Sequence, residues 1–308
     1  MPNLTFAAAG LQVFERGWLS SNNVLFAAQG ESESVLIDSG YCTHATQTIG
    51  LVQKSLGAKP LDRIVNTHLH SDHCGGNAAL QQLFDCRIDV PGGEANKVDR
   101  WDEALLTYRD TGQQCPRFLR TGSIRDGDEV PFGPHRWRVI AAPGHDPESV
   151  VFHQPELGIL ISADALWENG FGVVFPELEG ENAFDQVRNT LDRLASLEVE
   201  WIIPGHGPSF QGLMPAIERA HRRLDAFIAN PTRHSRHAAK VLIKFHLLEV
   251  QQRTLPGMID WLEQTRFMRL SHAAHFANED FRAWCLALLS ELAASGAIER
   301  DGELIRNK

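Results

Sequence analysis

The 308-residue sequence has little that would fit it to nucleic acid, to a membrane or to an oxidising compartment. Lys and Arg number 29 against 39 Asp and Glu, a net charge of −10, whereas binding driven by counterion release from a phosphate backbone needs a basic surplus. The excess acid is uneven: from Pro231 onward eleven basic residues face nine acidic ones, so nearly all of it lies in the first three-quarters of the chain. No stretch approaches the roughly 18 uninterrupted apolar residues of a membrane span, and the opening MPNLTFAAAG lacks the basic start of a secretory leader. The five cysteines (Cys42, Cys74, Cys86, Cys115, Cys285) are odd in number, scattered, and form no C-x-x-C pair, which argues against a disulfide framework or a thiolate zinc finger. The expectation is a soluble cytoplasmic protein with reduced thiols. Internal repeats and low-complexity segments are absent, and 43% hydrophobic residues suffice for a sizeable core.

The first half alternates strand-like and helix-like runs. VLFAAQ (24–29) and SVLIDSG (34–40) read as a strand pair around a polar turn, a helix is expected over 43–56, and the β-branched run before Asn66 reads as a short buried strand. GNAALQQLF is a helix, CRIDVPGG a strand ending in a turn, and NKVDRWDEALLTY (96–108) has helical spacing. RWRVIAAPGH, SVVFHQ, LGILISAD and WIIPGHG are strand-like, with a helix over about 183–197 before the last of them. This is a mixed α/β pattern without a regular βαβ repeat. Past Gly212 helices dominate, over about 213–229, 235–250, 256–265 and 278–295, and AIERDGELIR closes the chain as a hairpin around Asp-Gly. Three helices and a hairpin after the Asn230-Pro231 step suggest a small winged-helix-like domain over 231–308 behind a domain over 1–230.

The densest chemistry is THLHSDH at 67–73, which sets His68, His70, Asp72 and His73 where a strand runs out into a loop. Three further candidates stand at the ends of other strand-like runs: His145 in APGHD, Asp164 in ISADAL and His206 in IPGHG. Singly, a His beside a Gly is a turn residue and an Asp there ends a strand. Together, so many titratable groups would repel or stay unsatisfied in a core unless a cation held them. Imidazole nitrogen and carboxylate oxygen suit zinc, and also iron or manganese.

With these motifs in order, and with Leu36-Ile-Asp-Ser-Gly40 as the early strand and turn, the chain resembles the metallo-β-lactamase superfamily over about residues 10–210. The resemblance implies an αββα sandwich with two divalent metal ions at one edge of its sheets. It would place one ion on His68, His70 and His145 and the other on Asp72, His73 and His206, with Asp164 bridging. A bridging hydroxide would then be the nucleophile, with Asp72 holding its proton. Asp38 is a candidate to orient a ligand, or a buried structural carboxylate.

Asp164 argues against β-lactam hydrolysis, since the antibiotic-degrading members of the family lack a bridging Asp at this place. The loop LWENGFGVVFPELEG offers no Tyr of the kind the family's lactonases use there. Trp167, Phe171 and Phe175 are instead candidates for an apolar wall, with ordinary core packing as the alternative. Arg236, Lys240 and Lys244 fall on one helix face, either solvated or able to dock an anionic carrier. Thioester or related ester hydrolysis of a small acyl group is the first expectation. A phosphodiesterase or endoribonuclease, a lactonase, and a ligand-binding protein that kept the fold are the alternatives. The expected partner is a small-molecule substrate, with nucleic acid and membrane disfavoured and a homodimer left open. NEDFRAWCLALLSELAAS carries too few bases to read nucleic acid, and it reads as packing or dimer surface.

Overall fold

The structure is a computed structural model that describes residues 2–178 and 180–308. Short apolar strands build two mixed sheets. The first holds β1 (Leu11–Phe14), β2 (Asn23–Phe26), β3 (Val35–Ile37), β4 (Arg63–Val65), β5 (Arg87–Pro91) and β6 (Gly122–Ile124) in that spatial order. The second runs β11 (Trp201–Pro204), β10 (Ile159–Ala163), β9 (Val150–Gln154), β8 (His135–Ala141), β7 (Glu129–Phe132). Side chains alternate across each strand, so every strand feeds two layers. Val35, Ile37, Val65, Phe132, Trp137, Phe152 and Ile161 pack between the sheets. Leu36, Ile64 and Ile88 face the opposite way, under helices Ala45–Leu56 and Asn77–Phe84. Val151, Leu160 and Ile202 lie under helices Ala183–Ala195 and Leu213–Ala229. The result is the expected four-layer αββα sandwich.

Strand direction decides where the loops collect. β3 and β4 are parallel, with Ile37 opposite Val65, so both end at one edge of the first sheet. β8 and β10 are each antiparallel to β9, hence parallel to one another, and β11 runs parallel to β10. Their C-terminal ends therefore share one edge of the second sheet. Backbone bonds tie the two edges together: Val150 N–H donates to Thr67 O at 2.9 Å, and Asn22 N–H to Gly205 O at 2.7 Å.

Beyond the sandwich lie helices Pro231–Val250, Leu255–Gln264, Arg266–His275 and Phe281–Ala294, with a three-stranded antiparallel sheet of β12 (Gln252–Thr254), β14 (Leu304–Asn307) and β13 (Ile298–Asp301). They share a core around Leu242, Ile259, Trp284, Leu288 and Ile305. The closing hairpin forms as expected, but helix Arg266–His275 and strand β12 had no separate signal. The helix expected over 96–108 is also cut short. It ends at Arg100 because Trp101 turns left-handed (φ 53°), its indole on Phe118, and the Asp102 carboxylate then accepts from Ala104 and Leu105 N–H. That local side-chain turn competes with the helix and wins.

Candidate metal centre

All seven expected donors meet at the shared edge. His68, His70 and His145 bring a ring nitrogen each into one cluster, and Asp72, His73, Asp164 and His206 form a second, with donor atoms in each cluster within 4.8 Å of one another. A short turn of helix, Ser71–Cys74, supplies two of them from adjacent positions. Asp164 joins the clusters: Oδ2 lies 3.3 Å from His145 Nε2, while Oδ1 lies 3.5 Å from His73 Nε2.

Several features aim these groups. Ala163, just before Asp164, holds φ at 45° where β10 slips register against β11, a conformation costing about 1–3 kcal/mol outside glycine. Gly205 leaves the room this needs, since a Cβ there would lie 2.1 Å from Asp164 Oδ1. His145 donates through Nδ1 to Val173 O at 2.5 Å, which points Nε2 inward. His73 is held by Asp38, whose Oδ2 is 2.7 Å from Nδ1; the same carboxylate accepts from Thr67 N–H at 2.9 Å and Thr67 Oγ1–H at 2.8 Å. Asp38 is therefore a positioning carboxylate, itself at φ 56°.

The electrostatics favour cation binding. Burial, with the neighbouring imidazoles, keeps His68 well below its ordinary range and His70 and His145 at about 4, so these three are neutral donors near pH 7. Burial works against the charge on His73, but Asp38, Asp164 and Asp72 outweigh it and raise its pKa well above normal. Burial likewise opposes ionised Asp164, and His73 with His206 overcomes it. One imidazolium thus stands among three carboxylates, where a metal would carry more charge. His73 Nε2 is buried without a hydrogen-bond partner among the described residues, its nearest carboxylate oxygens being those at 3.5 and 3.9 Å. A buried nitrogen without a partner, turned toward two carboxylates, fits the role of a metal ligand.

The expected apolar wall is partly wrong. Trp167 is in place, with Nε1 3.1 Å from Asp164 Oδ1, and Phe175 sits 6.1 Å from the His70 ring. Phe171 is 1% exposed and packs in the core against Phe227, because the loop turns it inward beneath Arg223. Its place is taken by a residue with no local signal. Trp18 is 58% exposed, stacked on His206 at 5.3 Å and 7°, and edge-on to Trp167 at 5.5 Å. Only folding brings the segment before β2 to the mouth of the site.

The Arg236, Lys240, Lys244 stripe is not an open row of charge. Glu291 takes Arg236 and Lys240, while Lys244 donates to Ala297 O and Lys308 O at 2.8 Å. Cys74 is buried with its Sγ 3.2 Å from Tyr108 Oη, outside the donor set, and His246 is stacked on Trp261. Helix Phe281–Ala294 buries Trp284, Cys285, Leu288 and Leu292, as packing requires. No helix among the described residues is long and apolar enough to cross a membrane.

A two-sheet sandwich with His and Asp donors gathered at the strand ends of one edge is the architecture of a metallohydrolase class. The family model described as the metallo-beta-lactamase superfamily matches residues 16–206, which carry every donor, and the chain belongs to that superfamily. It is 33% identical over 137 residues to the hydroxyacylglutathione hydrolase of Rhizobium meliloti, covering 44% of either chain. To that of Gloeobacter violaceus it is 35% identical over 145 residues, covering 47% of this chain and 48% of the other. The chain thus spans about half the length of the curated relatives it matches. A beta-lactamase domain protein from Burkholderia ambifaria superposes with a TM-score of 0.60 at 21% identity, covering 97% of this chain and 92% of that one. TTHA1623, solved in a di-iron-bound form, gives a TM-score of 0.54 at 28% identity over 68% of this chain and 98% of its own.

Proposed function

We propose that the chain is a metal-dependent hydrolase holding two divalent ions and cleaving a thioester or related ester of a small acyl group. The observation that carries the two-ion reading is Asp164, whose carboxylate stands between the donor clusters, Oδ2 lying 3.3 Å from His145 of one and 3.9 Å from His206 of the other while Oδ1 faces His73. His68, His70 and His145 would hold one ion, and Asp72, His73 and His206 the other. Zinc suits this nitrogen and oxygen set, with iron or manganese as alternatives. The di-iron form of TTHA1623 supports two metals, and the likeness to hydroxyacylglutathione hydrolases supports a thioester.

When bound, the metals supply Lewis-acid polarisation and a nucleophile at neutral pH. The chain's own residues do the rest. Asp72 stays ionised, because His73 and the 3.0 Å contact with His206 Nε2 outweigh burial, and so can hold the proton of an attacking water. Trp18 and Trp167 form an apolar wall beside His206 that orients an acyl group and sheds water. Residues 1–230 would carry this chemistry, and 231–308 would close the site's flank, where Phe175 packs on Phe267 at 5.1 Å.

The test is metal content of protein purified without chelator, alongside rates on thioesters, lactones and phosphodiesters. Two ions per chain and thioesters cleaved fastest are expected. Asp164→Ala should lose an ion and at least about a hundredfold in turnover, the scale of losing a key electrostatic group. Full activity at one ion per chain would sink the binuclear reading, and faster phosphodiester cleavage would replace the substrate class.

A further inference from the structure

Helices Leu213–Ala229 and Pro231–Val250 meet at Asn230, and the crease between them opens into a groove of ≈ 570 Å³. That is the size of an ordinary small-molecule site, about 300–1,000 Å³. Its lining is unusual in an acidic chain: Arg222, Arg223, Arg233, Arg236 and Lys240 all border it, with His237 among them. Glu291 pairs with Arg236 and lies 3.2 Å from Lys240 Nζ; Glu218 lies 3.9 Å from Arg222. Two carboxylates therefore answer five permanent cations.

The other two have no acid partner among the described residues. Arg223 is half-buried, sits over the rings of Phe171 and Phe227 at 5.5 and 5.4 Å, and donates to His237 Nε2 at 2.8 Å. Arg233 donates through its backbone N–H to Asn230 Oδ1 at 3.1 Å, and among the described residues its guanidinium has no hydrogen bond or ion pair. It also stands in the first turn of a 20-residue helix, the end where the macrodipole repels a cation. The local field is felt by His237, which burial and then Arg223, Lys240 and Arg233 hold at about 4. So much unpaired positive charge beside a helix N-terminus is costly on its own and is relieved by an anion.

We propose that this groove is a binding site for an oligophosphate, a ligand with two or more adjacent phosphoryl groups such as the diphosphate of a nucleotide. Planar guanidinium groups take phosphate oxygens in pairs, and a single carboxylate would leave most of the charge unanswered. The ligand's diphosphate can come from a free nucleotide or from the nucleotide end of coenzyme A. The groove is also joined to the metal centre. Arg219 donates to Glu168 O at 2.6 Å and Arg223 to Asn169 O at 3.5 Å, so the loop following Asp164 hangs from one of its walls. The site does not depend on which ester is hydrolysed.

The full chain is titrated calorimetrically with ADP, AMP, coenzyme A and inorganic sulfate at low ionic strength. ADP should bind at one site per chain, at least about tenfold more tightly than AMP or sulfate, and more weakly as salt rises. Arg222 and Arg233 are exposed, so Arg233→Glu and Arg222→Glu should leave the thermal unfolding midpoint in place. Each should weaken ADP by about tenfold, the worth of one charge-assisted hydrogen bond. Coenzyme A displacing ADP marks an acyl-carrier site; ADP binding alone marks a nucleotide site. ADP no tighter than sulfate, affinity unmoved by both variants, or binding of single-stranded RNA but not ADP would each overturn the proposal.

Discussion

Replacing Asp38 by Asn tests whether this carboxylate sets the donor geometry of the proposed metal centre. Asn tolerates a left-handed backbone, so the φ of 56° should survive. The wild-type carboxylate accepts from Thr67 N–H and Asn66 Nδ2–H on Oδ1 and from Thr67 Oγ1–H and His73 Nδ1–H on Oδ2. Whichever way an amide is turned, its NH2 faces a donor. Facing Thr67 N–H, it leaves a buried donor unsatisfied, at about 1–3 kcal/mol. Facing His73, it drives the imidazole to the tautomer with its proton on Nε2, the nitrogen turned toward Asp164 and Asp72. That proton occupies the position a metal would take. Residues that orient a metal-binding His are worth about 10–100-fold in affinity, or about 1.4–2.7 kcal/mol. The assay is metal per chain after dialysis against graded chelator, with urea unfolding of the metal-free protein in parallel. Affinity within twofold of wild type, with an unchanged urea midpoint, would refute the reasoning.

Gly205→Ala should displace Asp164, since the new Cβ would meet its Oδ1 at 2.1 Å; loss of one ion per chain with retained far-ultraviolet circular dichroism is expected, and full loading would be contrary. Trp18→Ala should raise KM for aromatic acyl substrates about two- to tenfold, the scale of an aromatic contact, with kcat little changed, and an unaltered KM would remove Trp18 from the substrate wall. Acid should destabilise the fold through His234, which is 1% exposed and held at about 3 by burial, then by His237 and Arg223. Between about 6.5 and about 3 the unfolded chain binds the proton that the folded chain refuses, so stability falls as pH falls, by up to about 1.4 kcal/mol per pH unit for this group. Melting curves from pH 7 to pH 4 should show that slope and a shallower one in His234→Phe; parallel curves would contradict it.

Much of the sandwich and the seven candidate donors that the fold brings together were legible in the sequence for one reason. Alternating apolar runs mark strands, turn residues mark their ends, and a dense His and Asp set at such ends has no comfortable use without a cation. The hairpin at Asp301-Gly302 was equally plain because its signal is local. What failed depended on side-chain contacts that periodicity does not show, most of them with distant partners. The periodicity over 96–108 is helical, yet the Asp102 turn and the seat of Trp101 on Phe118 end the helix early. Phe171 looked like Trp167 in the string, and only the packing of Arg223 and Phe227 around it makes one core and the other site. The Arg236 stripe looked open because Glu291 lies 55 residues away in sequence. Trp18 had no local mark at all, since its place exists only where segments far apart in the chain are folded against one another, and the cationic crease at Asn230, although its residues are near neighbours in sequence, depends on the angle at which two consecutive helices meet. The sequence by itself determined which residues could bind metal and at which strand ends; the tertiary structure alone decided which aromatic faces the site and which charges stay unpaired, because burial and neutralisation belong to surfaces that meet through space.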